Sequence, residues 1–254
     1  MEFMDLVTDL LRWGHIVAGL FFVGLSWWFN LAFVPSSLSS DPETQKKNML
    51  ELVPRAVYWF RWAALYTVVL GAALLAIIFY DGGLTIEGQQ AWTTGSYIMV
   101  VVVFLVYRLY AVLAKTPLGK NLLLFASVGF LIIAAIIYCM IEFGHFSYRG
   151  YVIHTGVMFG IIMVGNVWET VWPAQKKIFT ALKAGTPPDP ALVALVGQRA
   201  VHNMYLSVPL LWTMIEAHTV VPGADSAFYL LGAIVLGWLA VWLALNKARK
   251  IHGW

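Results

Sequence analysis

The sequence predicts an all-α polytopic membrane protein, a transmembrane bundle of about seven helices. Three observations predict it: an apolar composition, seven apolar runs of membrane-spanning length, and basic residues confined to alternate connections. Of the 254 residues, 61% are hydrophobic and only 11% are charged, whereas a soluble domain has about 25% charged residues. A surface that faces lipid needs no charges. We therefore expect contact with the lipid bilayer and, at a net charge of only +3, no nucleic-acid partner.

Seven apolar runs have the length of a transmembrane helix, which needs roughly 20 residues to cross the hydrocarbon core. Turn-forming sequences separate them, among them Asp81-Gly82-Gly83 and Gly185-Thr186-Pro187-Pro188. No internal repeat, low-complexity segment or separate soluble domain is visible, so residues 1–254 are predicted to form a single transmembrane domain. The predicted spans cover approximately residues 8–34, 53–80, 95–114, 119–141, 150–172, 191–218 and 226–246.

The distribution of basic residues predicts the orientation. Lysines and arginines flank the first, third and fifth connections and fill the C-terminal tail, whereas the other three connections hold only Arg149. Because positive charge stays on the cytoplasmic side, we expect the N-terminus outside and the C-terminus inside. The basic residues on the predicted inner side are Lys46, Lys47, Arg55, Lys115, Lys120, Lys176, Lys177, Lys183, Arg199, Lys247, Arg249 and Lys250.

Three histidines fall at a similar predicted depth, near the outer face. His15 lies in the first span, His154 in the fifth and His218 at the end of the sixth. His202 precedes His218 on the same helix by a distance of about 24 Å, at a rise of 1.5 Å per residue, which places it near the inner face. Ionisable groups at membrane depth are candidates for function.

Histidines of facing helices at one depth are typical axial ligands of a b-type haem. We expect one haem b, held by two of the three outer histidines, with His15 and His154 preferred because they lie deeper. Gly156 and Gly160 would leave room for the macrocycle, although small residues also let helices approach each other. A second haem at His202 is possible in principle. The alternative is that each histidine only hydrogen-bonds a neighbouring helix.

Cys139 is the only cysteine, which excludes an internal disulfide and Cys-based metal cages. Covalent c-type haem attachment is excluded as well, because no Cys-x-x-Cys-His is present.

Arginines gather towards the predicted inner face. Arg199 shares a helical face with His202 and Asn203, at spacings of three and four residues. The ordinary interpretation is positive-inside anchoring with snorkelling side chains. The alternative is an anion site for a substrate or a haem propionate. The candidates for that site are Arg55, Arg61, Arg108, Arg199 and Asn203.

Five segments resemble the membrane-bound N-terminal domain of the bacterial PuuD-type urate oxidase family. Their order and spacing match over most of the chain, and the last stretch is the most specific. The segments are Arg12-Trp13-Gly14-His15; Trp59-Phe60-Arg61-Trp62; Lys115-Thr116-Pro117-Leu118-Gly119-Lys120; His154 through Asn166-Val167 to Pro173-Ala174-Gln175-Lys176-Lys177; and Leu182-Lys183-Ala184-Gly185 through Gln198-Arg199, His202-Asn203 and Pro209 to His218.

The resemblance implies a redox protein of the bacterial inner membrane. Such proteins pair this domain with a C-terminal cytochrome c and are linked to urate oxidation, passing electrons to a respiratory chain. The family's recurrent histidines match His15, His154, His202 and His218. Two departures are visible: these residues include no cytochrome c, and the first connection, residues 36–52, lacks the family's glycine-rich aromatic segment. We therefore expect an external cytochrome c or other respiratory subunits as partners.

Three functions are compatible with the sequence. The favoured one is a membrane cytochrome b that transfers electrons, as a subunit of a larger respiratory complex or alone. The second is urate oxidation with transfer of electrons to an external cytochrome c. The third is a cofactor-free scaffold or proton-conducting subunit. The missing glycine-rich segment favours the first over the second, and the sequence singles out no catalytic residue.

Overall fold

The computed structural model describes residues 3–219 and 225–251, and these residues confirm the all-α class. They form long helices joined by short connections and contain no β-strand, only an isolated bridge between Ile86 and Phe146. The helices are α1 (Phe3–Leu38), α2 (Pro42–Asp81), α3 (Thr94–Leu113), α4 (Leu122–Glu142), α5 (Tyr148–Lys183), α6 (Pro190–Thr219) and α7 (Ala227–Ala248).

Six of these helices, α1 to α5 and α7, are long and apolar enough to cross a membrane, so the chain is a multi-pass membrane protein. Large apolar side chains such as Leu123 and Phe228 are 79% and 85% exposed, which indicates contact with lipid. α6 lies at the position of the sixth predicted span but is not among the six, because it carries many polar side chains. The orientation stays a prediction.

Two helices extend well past the apolar runs from which they were predicted. α2 begins at Pro42, and α5 continues through an amphipathic segment to Lys183. Only residues 39–41 separate α1 from α2, and Asp41 caps α2 by accepting hydrogen bonds of 3.0 Å from the amides of Glu43 and Thr44. A hydrogen bond from the Thr44 side chain, together with these amides, holds the pKa of Asp41 below its ordinary value.

Three helices contain π-helical segments. They cover Phe29–Phe33 in α1, Leu75–Asp81 at the end of α2 and Asn166–Val171 in α5. A π-helical turn is rare, and it frequently occurs at functional sites. It also shifts the helical register, so that side chains before and after it face different neighbours than in a regular helix.

The chain divides into two compact units. The first comprises Met1–Leu74, Met163–Ser207 and Trp238–Trp254, as far as they are described. Its apolar cluster centres on Val53, Val57 and Phe179, against which Phe29, Phe33, Met49 and Trp172 pack.

The second unit comprises Leu75–Ile162 and Val208–Gly237, as far as they are described. In this unit, the connection after α2 holds the start of α5. The Ser147 amide donates to the Thr85 carbonyl at 2.8 Å, and the Ser147 hydroxyl donates to the Leu84 carbonyl at 2.6 Å. A side chain at Gly150 would collide with the same Thr85 carbonyl. This packing fixes the first turn of α5, one turn before His154.

Candidate functional site

His15 is held by two features of α2 within the first unit. Its Nδ1 lies 2.8 Å from the Thr67 carbonyl oxygen, and since a carbonyl only accepts, Nδ1 carries the proton and donates. Its ring packs on Gly71, where an added Cβ would lie 2.7 Å from His15 Cε1. The half-buried imidazole therefore has a fixed tautomer, with the Nε2 lone pair on the opposite side of the ring.

His154 is fully buried in the second unit. Its Nδ1 donates to the Gly150 carbonyl of its own helix at 2.7 Å, and its Nε2 accepts a hydrogen bond of 3.0 Å from the Tyr80 hydroxyl. The ring centroid of Phe146 is 4.7 Å away. The tautomer is thus the same as for His15, but here a tyrosine occupies the Nε2 side.

His218 is exposed at the end of α6, and its ring centroid lies 5.9 Å from that of Phe79. The neighbouring Tyr80 contacts His154, so consecutive residues at the end of α2 contact His218 and His154. Close to His218 in sequence, the buried Glu216 accepts a hydrogen bond of 3.0 Å from Tyr148. Of the three predicted outer histidines, the structure places His154 and His218 in one unit and His15 in the other.

The two glycines proposed to make room for a cofactor have different surroundings. At Gly156 a side chain would strike Thr213 and would lie 2.7 Å from Met214 Cε, so the helix approaches α6 closely there. At Gly160 a Cβ would meet nothing within 4 Å. Of the two glycines, only Gly160 therefore borders open space.

A buried polar cluster occupies α6 in the first unit. Arg199, His202 and Asn203 are only 1%, 5% and 2% exposed. The Asn203 amide donates to the Met163 carbonyl at 3.1 Å, and its Oδ1 accepts from Asn166 Nδ2 at 2.8 Å. These bonds join α6 to α5 where the π-helical segment Asn166–Val171 begins.

The other predicted anion ligands have different surroundings. Arg55 and Arg108 are exposed, and Arg108 lies in the second unit beside the Tyr107 ring. Arg61 belongs to the first unit, where its guanidinium carbon lies 4.1 Å from the centroid of Trp172. Its backbone carbonyl accepts a hydrogen bond of 3.0 Å from the Trp168 indole.

Sequence reasoning missed the groups that orient the histidines. Thr67 and Tyr80 are ordinary residues of an apolar span, and nothing in their spacing marks them as partners of His15 and His154. Asn166 gave a signal, since an amide inside a span must be satisfied by another helix. Among residues 3–219 and 225–251, no three His, Cys, Asp or Glu side chains converge as a metal site; an axial haem site needs only two ligands.

Comparison with protein families decides where the chain belongs. A sequence model described as urate oxidase N-terminal matches residues 45–252. The chain belongs to the urate oxidase N-terminal family. The matched range includes His154, His202 and His218, whereas His15 precedes it. Comparison with curated proteins and with solved structures gave no match.

Proposed function

We propose that this member of the urate oxidase N-terminal family is a b-type cytochrome that transfers electrons in the inner membrane of a bacterium, as a subunit of a respiratory complex. The observation that carries the proposal is the setting of His154: a fully buried imidazole whose Nδ1–H donates to the Gly150 carbonyl. Metal-ligating histidines almost always donate their second N–H in this way, which directs the other nitrogen to the metal.

His154 in the second unit is the first candidate to hold the haem, and His15 in the first unit is the other candidate ligand, each oriented within its own unit. Both donate Nδ1–H to a backbone carbonyl, at 2.8 and 2.7 Å, so both present Nε2 as the ligating atom. When bound, haem b supplies one-electron chemistry. His154 would hold a haem through Nε2 only if the Tyr80 hydroxyl gave up its hydrogen bond to that atom. The rings of Phe146 and Tyr80 keep water away from this imidazole.

A reduced-minus-oxidised difference spectrum of the purified protein tests the proposal. We expect a haem b band that is lost, or reduced several-fold, in His154→Ala and in His15→Ala. His145→Asn is the matched control, because His145 is exposed and its φ of 54° is tolerated by asparagine. A folded protein without a haem band contradicts the proposal and favours a scaffold or proton-conducting role. Full haem content in an alanine variant shows that the replaced histidine is not a haem ligand.

Urate oxidation is the second candidate, and family membership together with the buried Arg199 favours it. A guanidinium that is 1% exposed beside His202 and Asn203 could bind a urate anion in a setting of low dielectric constant. We prefer electron transfer because only residues 39–41 connect α1 with α2, which leaves no loop there to cover a substrate. Prompt haem reduction on anaerobic addition of urate, abolished in Arg199→Lys, would reverse this preference.

A further inference from the structure

The Arg61 side chain lies among four aromatic rings of the first unit, which we call the Arg61 cage. Its guanidinium carbon is 4.1 Å from the centroid of Trp172, 5.5 Å from those of Tyr58 and Trp168, and 5.7 Å from that of Trp62. Rings at these distances attract a cation through their negative faces. They offer no hydrogen-bond acceptor of the strength that a guanidinium needs.

A second cation shares the cage. Lys176 lies one helical turn beyond Trp172, and its Nζ is 5.5 Å from the centroid of the same ring. In the described part of the chain neither Arg61 nor Lys176 is paired with a carboxylate, and Arg61 Nε is buried with no hydrogen-bond partner. Arginine and lysine have only donors. Two such groups around one indole ring create a site for an anion.

The surface around the cage indicates which anion it takes. On the same stretch of α2, the side chains of Tyr58, Trp59 and Tyr66 are 48%, 62% and 54% exposed. Exposed aromatic residues of this kind are enriched where the membrane meets water. A ligand there has to offer a negative group to the two cations and apolar chains to the neighbouring rings. An anionic phospholipid offers both.

We propose that Arg61 and Lys176 bind the phosphate of an anionic phospholipid, with its headgroup against Trp172. Arg61 has a planar fork of donors that matches two phosphate oxygens, and Lys176 adds a point charge from the exposed side. The hydrogen bond from Trp168 to the Arg61 carbonyl holds α5 against α2 at this level. Basic pockets between membrane helices are known to bind anionic headgroups. The proposal does not depend on haem or on urate.

Native mass spectrometry of the full chain tests the proposal, with phosphatidylglycerol and phosphatidylcholine supplied in equal amounts. The wild-type protein is expected to retain phosphatidylglycerol preferentially. Loss of one cation, in Arg61→Gln or in Lys176→Gln, should weaken the retention of phosphatidylglycerol about fivefold, as expected for one basic residue near a phosphate. The haem spectrum of Lys176→Gln should stay that of the wild type, which separates this result from the proposed function.

Lys177→Gln is the matched control. It removes the same charge from the next residue, which is exposed, and it should leave lipid retention unchanged. Lys176 is exposed as well, so Lys176→Gln is expected to fold. If Arg61→Gln fails to fold, Lys176→Gln still tests the proposal. Equal retention by the wild type and Lys176→Gln, equal retention of both lipids, or displacement of the lipid by millimolar inorganic phosphate would each overturn the proposal.

Discussion

At the scale of single residues, the same hydrogen bond orients two histidines that lie in different units. His15 donates to a carbonyl of α2, and His154 donates to a carbonyl one turn earlier in its own helix. The second arrangement is local and needs only a regular helix. The first depends on the packing of α1 against α2, and so it depends on the absence of a side chain at Gly71.

Gly71→Ala should destabilise the protein through His15. The new Cβ would lie 2.7 Å from His15 Cε1, so the ring has to turn away from Thr67 or the helices have to separate. Overpacking of this kind lowers the free energy of unfolding by about 1–3 kcal/mol. The loss is measurable as a lower midpoint of thermal unfolding in detergent. Gly24→Ala is the control, since nothing lies within 4 Å of its added Cβ. Equal midpoints for the two variants would show that His15 does not rest on Gly71.

Asn166 and Asn203 should be coupled in stability. Asn166→Leu leaves the buried Asn203 side chain without its Asn166 partner, and Asn203→Leu does the reverse. Either change should lower the free energy of unfolding by about 1–3 kcal/mol. The double variant should cost less than the sum of the two, because residues in contact are not additive. Denaturant titration of the two single variants and the double variant measures this coupling. Strict additivity would mean that the 2.8 Å bond between the side chains contributes nothing.

The depth of the histidines stays a prediction from sequence, and the partners of their side chains could not be predicted. Depth follows from position within a span, since each helical residue adds a fixed rise. The partners depend on which helices face each other: the Thr67 carbonyl is 52 residues from His15, and Tyr80 is 74 residues from His154. A single sequence holds no record of such pairings. The burial of the candidate arginines was not predictable either: Arg199 is buried, whereas Arg55 and Arg108 are exposed.

At the scale of helices, hydropathy located the apolar runs but not the helix ends. α2 and α5 continue past their apolar runs because a helix needs only backbone hydrogen bonds, which charged residues do not interrupt. The segment Trp172–Lys183 buries Ala174, Ile178 and Phe179 and directs Lys176 and Lys177 outwards. The π-helical segments were not predicted, since one extra residue in a turn leaves no mark in a run of apolar residues.

The start of α3 gives a prediction about one helix end. Thr93 caps α3: its hydroxyl accepts from the Ser96 amide at 3.2 Å, while Ser96 Oγ accepts from the Thr93 amide at 3.1 Å. Thr93→Ala removes the hydroxyl that accepts from the Ser96 amide and should lower the free energy of unfolding by about 1 kcal/mol. Thr94→Ala, at the next exposed residue, should cost much less. Comparing the unfolding midpoints of the two variants tests the cap, and the reverse order would refute it.

At the scale of the whole molecule, burial separates helices that face protein from helices that face lipid. In the most apolar stretch of α5, 72% of the residues are buried, against 6% in α4. α5 carries His154, Asn166 and Trp168, so the helix that is most enclosed is also the one with the polar contacts described above. α4 supplies apolar surface and no candidate site residue.

The orientation predicted from the basic residues can be tested with two reporter fusions. Gly88 lies in the connection between α2 and α3, and Lys183 ends α5. Because Lys176, Lys177 and Lys183 should stay cytoplasmic, a reporter at Lys183 should be active inside and one at Gly88 outside. Alkaline phosphatase and green fluorescent protein fusions give opposite readouts for the two sides. The same readout at both positions would refute the predicted topology.

The polar content of α6 has a consequence for biogenesis. A translocon releases a helix into lipid according to its own transfer free energy, and charged or polar side chains make that free energy less favourable. α6 carries Arg199, His202, Asn203 and Glu216, so by itself this helix partitions poorly into the lipid bilayer. Its Asn203 bonds to Asn166 and Met163 of α5. We therefore expect the nascent chain to retain α5 beside the translocon until α6 has been synthesised, so that the two helices enter the bilayer as a pair.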